Sequence, residues 1–222
     1  KLRAAFAILR PQTSWMSREI YAVGLFYLSV AADFYQPSPI FHGTAALGAA
    51  AFLYCQGRIL HAGKGIPSWR VAQMPLMLVA TGLLEGIALL TLIFSQWGDQ
   101  LPDASLIPPI AIILIIVNFY LWRRYVGNAK AWGIGPIDRR ILGIFTPKLH
   151  MVGHVIPLVL FAILFLNANS PVWIADLAGF LTIAGGVLWK AIVITRACHM
   201  QNFALGKMPQ RGSGKFAAPL KV

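Results

Sequence analysis

Two ionisable side chains, Glu85 and Lys190, lie inside long apolar stretches of this 222-residue chain. Glu85 is near the middle of its stretch, and a charge placed within a membrane is by default a functional hypothesis. Its carboxyl group could carry protons or could hydrogen-bond a neighbouring helix for packing, and the sequence leaves both interpretations open. Lys190 is closer to the end of its stretch, so we expect its aliphatic stem to place the ammonium group at the membrane interface.

Four of the five histidines lie on the side of the apolar stretches where Lys and Arg collect: His61, His150, His154 and His199. His42 belongs to the other side. Histidine can transfer protons during quinone chemistry and can ligate haem, although it also hydrogen-bonds helix ends. His150 and His154 share one helix face because they are spaced i, i+4. His61 with His154 is the pair that could hold a bis-histidine haem b.

The elements that must position these side chains are membrane-spanning helices. With 58% hydrophobic and 12% charged residues, the chain is too apolar for a soluble domain. A helix of about 20 apolar residues crosses the hydrocarbon core. We predict an all-α polytopic membrane protein, with one transmembrane domain over residues 1–222. Ser17 is the expected N-cap of the first helix, before a first turn with Arg18 and Glu19. The six predicted spans are 17–34, 41–60, 71–97, 104–122, 149–167 and 172–195, followed by a basic tail over 196–222.

Basic residues predict the orientation of these spans. Of the 19 Lys and Arg residues, all but Lys190 lie before or in the first turn of the first span, in the last turn of the second span or after it, after the fourth span, or in the tail. The alternate connections carry only Asp33, Asp99, Asp103 and Asp176. By the positive-inside rule, we expect both chain ends to lie on the cytoplasmic side of the cell's inner membrane.

The net charge of +12 is spread over four segments and contains no nucleic-acid-reading module. It therefore favours anionic membrane lipid and an acidic partner protein over DNA or RNA. Cys55 and Cys198 form neither a disulfide framework nor a metal-binding pattern, and we expect both thiols to be free.

Three motifs resemble one family of membrane proteins. Residues 13–19 (TSWMSRE) resemble the TSWxSRE signature of the membrane anchor subunits of dimethyl sulfoxide reductase and related enzymes, within the polysulfide-reductase-like superfamily. Arg58 and residues 67–69 (PSW) resemble the family's arginine-then-Pro-x-Trp pattern. Residues 195–205 (TRACHMQNFAL) and 209–212 (PQRG) are similar to the tail of members associated with phenylacetyl-CoA:acceptor oxidoreductase. The resemblance covers nearly the whole chain.

The resemblance implies a haem-free subunit, with no metal of its own, that holds a molybdenum or tungsten enzyme on the membrane. It would exchange electrons between that enzyme's iron–sulfur subunit and the quinone pool, menaquinone or ubiquinone. The molybdopterin would belong to a catalytic subunit that oxidises an acyl-CoA such as phenylacetyl-CoA, or that acts on a sulfoxide or another substrate of anaerobic respiration. Members of the family usually have eight helices, so two would precede Lys1 and would carry the family's histidine motif for quinol reaction.

We predict a partial quinone site on the basic side. Arg18 and Glu19 would shape the pocket from the start of the first span. A histidine would hydrogen-bond a quinone oxygen, and a carboxyl group within the membrane would relay protons inward. The predicted quinone-binding and proton-transfer residues are Arg18, Glu19, Arg58, His61, Glu85 and His154, with Trp15 and Trp69 as pocket walls.

Two other classes of function are open to the same sequence. A transporter or channel would use Glu85 and Lys190 as coupling or substrate-binding residues, and it would function as an isolated protein. A cytochrome subunit with haem b would show a sharp α-band on reduction. A membrane anchor should instead co-purify with its partner subunits.

Overall fold

The computed structural model of the chain describes residues 10–97, 104–167 and 169–200. Within these ranges every regular element is helical, which confirms the predicted all-α class for the described part of the chain. Asp99, Asp103, the basic residues before Arg10 and the tail motif beyond residue 200 lie outside the described residues.

The described helices run in chain order with short connections. Two five-residue π-helical turns interrupt or extend them, the first between α5 and α6 and the second after α7. The bounds are α1 Trp15–Tyr35, α2 Pro39–His61, α3 Met74–Trp97, α4 Ile107–Gly127, α5 Pro136–His150, the first π turn Met151–Val155, α6 Ile156–Leu166, α7 Val172–Ala191 and the second π turn Ile192–Arg196.

Four helical stretches of the described chain are long and apolar enough to cross a membrane. They are Met74–Trp97, Ile107–Gly127, Pro136–Leu166 and Val172–Arg196, and only 33–44% of each apolar window is buried within the protein. The remaining apolar surface faces outward, as in a protein whose solvent is lipid. α1 and α2 have the length of a span but are not among the four, because charged and small residues dilute their apolar content. The prediction of six spans therefore stays a prediction.

The described chain divides into two compact units. The first unit contains residues 10–63 and 72–79, and the second contains residues 64–71 and the described chain from residue 80 onward. In the first unit, α1 and α2 form a helical hairpin. A Cβ atom at Gly48 would lie 2.8 Å from the backbone nitrogen of Phe26, so this glycine permits close packing of the two helices.

Two short polar segments begin the helices of this hairpin. The N-cap of α1 is Ser14, whose hydroxyl accepts a hydrogen bond from the Ser17 backbone N–H at 3.3 Å. The expectation that Ser17 caps the helix was wrong by one turn, although Arg18 does lie in the first turn. At the other end, the Asp33 carboxylate accepts the Ser38 backbone N–H at 3.0 Å and pairs with His42 at 2.9 Å, which fixes the tight turn into α2.

The core of the second unit is formed by apolar residues from α3, α4, α6 and α7, among them Leu84, Ile115, Phe161 and Ala178. The predicted fifth span, 149–167, lies in the later part of a longer helical stretch, and its start as a span stays a prediction. A continuous helical stretch begins at Pro136, because proline at the first helical position is followed by an amphipathic sequence whose Arg and Lys side chains can face away from the core.

Two π turns widen the helices of the second unit. The Ile156 backbone N–H bonds to the Met151 carbonyl, and the Ala197 backbone N–H bonds to the Ile192 carbonyl at 2.7 Å. Both are i to i+5 bonds, and π turns of this kind occur frequently at functional sites. The first π turn carries His154, and so it places a histidine within an otherwise apolar helical stretch.

Candidate functional site

The first candidate site is an arginine–tryptophan cluster in the first unit, formed by Trp15, Arg18, Glu19 and Arg58. The guanidinium carbon of Arg18 lies 4.1 Å from the centre of the Trp15 ring, and that of Arg58 lies 4.6 Å from it. Two cations therefore share one indole ring, an attraction worth about 0.5–2 kcal/mol for each cation. Tyr54 packs edge-on against the same ring at 5.8 Å.

The two arginines of this cluster have different surroundings. Arg18 donates from Nε to the Pro11 carbonyl at 2.6 Å and from Nη2 to the Gln12 carbonyl at 2.9 Å, so it holds the segment before α1 in place. The Nε of Arg58 is buried and has no hydrogen-bond partner among the described residues. Since buried donors are almost always paired, this N–H group is available to an acceptor from outside the described chain.

Glu19 is held by a neighbouring amide rather than by an arginine. The Gln56 side-chain N–H donates to Glu19 Oε1, which links α1 to α2. His61 ends α2 one turn beyond Arg58 and is half-buried. The structure thus brings Trp15, Arg18, Glu19 and Arg58 together within the first unit, although they were predicted from two separate motifs.

The other predicted site residues lie in the second unit. Trp69 donates its indole N–H to the Val193 carbonyl at 2.9 Å, and Ser68 donates its hydroxyl to the Ala197 carbonyl at 2.5 Å. Both bonds go to carbonyls at or just after the second π turn, so Trp69 has a structural partner there, and its role as a pocket wall stays a prediction. The predicted haem pair divides between the units, with His61 in the first and His154 in the second.

Glu85 and Lys190 form an ion pair inside the second unit. The Lys190 ammonium lies 2.7 Å from Glu85 Oε2. The expectation that Lys190 extends to the interface is therefore wrong: its side chain turns to the carboxylate on the neighbouring helix. Glu85 Oε1 is buried without a hydrogen-bond partner in the described chain, and it contacts Gly186.

A polar network crosses the same unit. The Trp189 indole N–H donates to the Thr81 hydroxyl at 3.0 Å, and that hydroxyl donates to the Asn118 side-chain oxygen at 2.7 Å. The Asn118 amide then donates to the carbonyls of Ala80 and Leu114. Every donor of this network is used, which joins α3, α4 and α7 specifically.

A cavity of about 20 Å³ lies beside this network. A buried site of about this size has room for one water molecule. Its lining residues are Thr81, Leu84, Asn118, Leu149, Gly153, His154, Thr182, Gly185, Gly186 and Trp189.

The sequence-based site prediction omitted His150, which the structure places among aromatic rings. Its ring centre lies 4.6 Å from that of Phe119 and 5.5 Å from that of His154. Both ring nitrogens of His150 are buried and lack a hydrogen-bond partner among the described residues. The sequence shows the i, i+4 spacing of the two histidines. It does not show that His150 lacks a hydrogen-bond partner, because this depends on how the surrounding side chains pack.

A partly buried ion pair connects the segment after the second π turn to the start of α5. The fully buried Asp138 carboxylate pairs with the His199 ring at 2.5 Å. Burial raises the pKa of the neighbouring Cys198 thiol, and the charge of Asp138 raises it further, so this cysteine is a protonated thiol rather than a nucleophile. Cys55 and Cys198 are both free, as predicted. Among the described residues, no three His, Cys, Asp or Glu side chains are grouped as metal ligands would be.

Comparison with known proteins returns no match: no protein-family model, no curated protein and no solved structure is significantly similar to this chain.

Proposed function

We propose that this protein is the membrane anchor subunit of a molybdenum or tungsten oxidoreductase complex, and that it exchanges electrons between an iron–sulfur subunit and the quinone pool. The observation that carries the proposal is the arginine–tryptophan cluster. It combines the TSWMSRE segment with Arg58 from a separate motif, and it contains a buried Arg58 N–H without a partner in the described chain. The reading of both motifs as those of an anchor subunit rests on their resemblance to that family.

The residues of the cluster fit a quinone headgroup, which has a flat ring and two oxygen acceptors. A bound quinone would supply two-electron, two-proton redox chemistry. Arg58 would donate its free N–H to one of the ring oxygens, and Arg18 would add positive charge beside it. Glu19 would hold a proton within reach of the site, with its carboxyl group fixed by Gln56. Trp15 would provide an apolar wall.

The membrane setting is supported by the four apolar helical stretches of the described chain. The basic residues around the predicted spans support orientation in the inner membrane and docking of an acidic iron–sulfur protein, because opposite charges steer and orient such encounters. In this proposal the catalytic subunit oxidises a cytoplasmic acyl-CoA, for which phenylacetyl-CoA is the candidate that the tail motif suggests.

The composition of the native assembly tests the anchor role. The full-length protein, tagged and extracted from its own membrane in a mild detergent, should co-purify with an iron–sulfur subunit and a larger subunit that contains molybdenum or tungsten. Native mass spectrometry and metal analysis would identify both. Recovery of the chain alone, with solute flux after reconstitution, would instead establish a transporter.

The quinone site is tested by Glu19→Gln and Arg58→Gln in that assembly. A hydrogen bond to a charged group contributes about 1.5–3 kcal/mol, so each change should raise the KM for quinone or lower quinone-linked turnover by on the order of 10–100-fold. Turnover with a soluble dye that accepts electrons from the partner subunits should not change. Asp33→Asn is the matched control, since Asp33 is a carboxylate of the same helix that pairs with His42. Normal quinone-linked turnover in both test variants would refute the site.

A further inference from the structure

Two arginines of the second unit, Arg123 on α4 and Arg140 on α5, are exposed and unpaired in the described part of the chain. Neither guanidinium group forms an ion pair or a hydrogen bond with a described residue. Arg123 is close enough to His150 to act on it electrostatically, so its side chain lies on the side of α4 that faces α5. The fork of N–H donors in arginine matches the oxygens of a phosphate group. The two free guanidinium groups are therefore candidates to bind one.

α4 and α5 lie side by side and run in opposite directions. The Trp122 indole N–H donates to the Thr146 hydroxyl at 3.2 Å, and the Phe119 ring centre lies 4.6 Å from that of His150. A step forward along α4 thus corresponds to a step back along α5. In this register the two arginines differ in level by about five residues, or about 7.5 Å along the helix axis. Because both side chains are long, they can reach one phosphate group between them.

Apolar residues continue from the two arginines along the same helix faces. On each helix they recur at spacings of three, four or seven residues, which place them on one face, and all of them are exposed. A Cβ atom at Gly143 would meet no described atom within 4 Å, so α5 leaves open space beside them. We call this area the α4–α5 surface, which is formed by Ile116, Phe119, Arg123, Arg140, Pro147 and Met151.

The length of the helical stretch indicates where this surface lies in a membrane. Pro136–Leu166 has 31 residues and is about 46 Å long, whereas the hydrocarbon core is about 30 Å thick. The excess must extend beyond the core, and it is the first part of the stretch, up to Lys148, that carries the charged residues. We therefore expect Arg140 at the level of the lipid headgroups and Met151, three turns further, within the hydrocarbon.

We propose that the α4–α5 surface binds one anionic phospholipid. The phosphate group accepts hydrogen bonds from Arg123 and Arg140, and one acyl chain lies against Phe119, Ile116 and Met151. The placement of charge favours a lipid over an acidic protein, because the cations stand at one end of an apolar strip that continues into the membrane. A zwitterionic lipid fits less well, since its own cation would lie beside two guanidinium groups. No electron transfer is involved, so the site does not depend on the proposed quinone function.

Lipid titration followed by native mass spectrometry tests the site. The full-length protein, with any subunits that co-purify, is stripped of lipid in detergent and titrated with dioleoyl phosphatidylglycerol or dioleoyl phosphatidylcholine. The tightest site should bind one phosphatidylglycerol per chain, with a lower Kd than phosphatidylcholine. Arg123→Gln and Arg140→Gln should each raise this Kd by on the order of tenfold, because each removes a charged hydrogen bond. Lys148→Gln is the matched control, since Lys148 is an exposed cation of α5 that lies over the Phe145 ring at 5.7 Å.

Equal Kd values in the arginine variants and the control would refute the proposal. Circular dichroism checks each fold, and if one arginine variant does not fold, the other is sufficient for the test. Loss of a partner subunit from these variants, with lipid binding unchanged, would overturn the proposal by assigning the arginines to a protein interface. Millimolar inorganic phosphate should not displace the lipid, because phosphate has no acyl chain, and displacement would indicate a site for a free anion instead.

A phosphatidylglycerol with a photoreactive diazirine in its acyl chain tests the apolar part of the surface. Mass spectrometry should locate cross-links at Ile116 or Met151, and the double variant Arg123→Gln, Arg140→Gln should reduce them by at least the tenfold loss expected for one arginine. Cross-links confined to other helices, or equally strong in the double variant, would contradict the placement of the lipid.

Discussion

Two adjacent glycines of α7 should respond differently to the same substitution. The three atoms nearest to a Cβ atom at Gly186 would all belong to the Glu85 side chain, with the carboxyl carbon at 2.8 Å and Cγ at 3.0 Å. A Cβ atom at Gly185 would collide with the backbone of Gly153 in the first π turn. A flexible side chain can move aside, whereas a packed helix backbone must shift as a unit.

The magnitudes follow from these contacts. Alanine gains about 0.5–1 kcal/mol over glycine inside a helix. Gly186→Ala must displace the Glu85 carboxylate from Lys190, and the loss of a hydrogen bond to a charged group costs about 1.5–3 kcal/mol. The expected net loss of stability is therefore about 0.5–2.5 kcal/mol. Gly185→Ala forces the backbones of α7 and the π turn apart, for which overpacking costs about 1–3 kcal/mol or more.

A double-mutant cycle with Glu85→Ala separates the collision with the Glu85 side chain from the collision between helix backbones. Once the carboxylate is removed, Gly186→Ala should become stabilising by about 0.5–1 kcal/mol, because only helix propensity is left. Gly185→Ala should stay destabilising in the same background. Titration with a denaturing detergent in mixed micelles, under conditions where unfolding is reversible, would give the free energy of unfolding of all five variants. An equal cost of Gly186→Ala with and without Glu85 would refute the placement of the carboxylate.

Three further outcomes follow from single hydrogen bonds in the second unit. Asn118→Leu removes the acceptor of the Thr81 hydroxyl, which keeps only the hydrogen bond from Trp189, and it should cost about 1–3 kcal/mol in the same unfolding assay. An unchanged midpoint would exclude the polar network as a stabilising element. Trp69→Phe removes one bond to the second π turn and should lower stability by about 0.5–1.5 kcal/mol, with faster amide hydrogen exchange confined to that turn. Asp138→Ala removes the partner of His199, and trypsin should then cleave after the second π turn faster than in the unsubstituted protein; equal cleavage rates would show that the pair does not hold this segment.

The helices were predictable where one apolar stretch forms one helix. α2 and α3 begin and end within a few residues of the predicted spans, because Ser38 and Pro39 mark one start and polar segments bound the apolar runs. α5 was not predicted, because Asp138, Arg139, Arg140 and Lys148 lower its mean hydropathy, and a charged stretch of this kind is typical of a polar connection. The number of spans depends on the same property in α1 and α2, where charged and small residues weaken the signal.

The arrangement of polar side chains was predictable only in part. The cluster of Trp15, Arg18, Glu19 and Arg58 was expected as a site, since its residues flank the same end of a predicted hairpin. The Glu85–Lys190 pair was not expected. Its partners are 105 residues apart in the chain. Whether the Lys190 ammonium bonds to the Glu85 carboxylate or extends to the membrane interface depends on how α3 and α7 pack. The π turns also have no sequence signal that the hydrophobic pattern reveals, because one extra residue in a turn leaves the apolar run unbroken.

Photoaffinity labelling with an azido-quinone, applied to the native complex and mapped by mass spectrometry, is the most direct test of the proposed quinone site. The account predicts saturable labelling of residues around Trp15 and Arg58, which excess natural quinone abolishes and which Arg58→Gln reduces. Saturable labelling confined to other segments of the chain, or labelling that natural quinone does not displace, would contradict it.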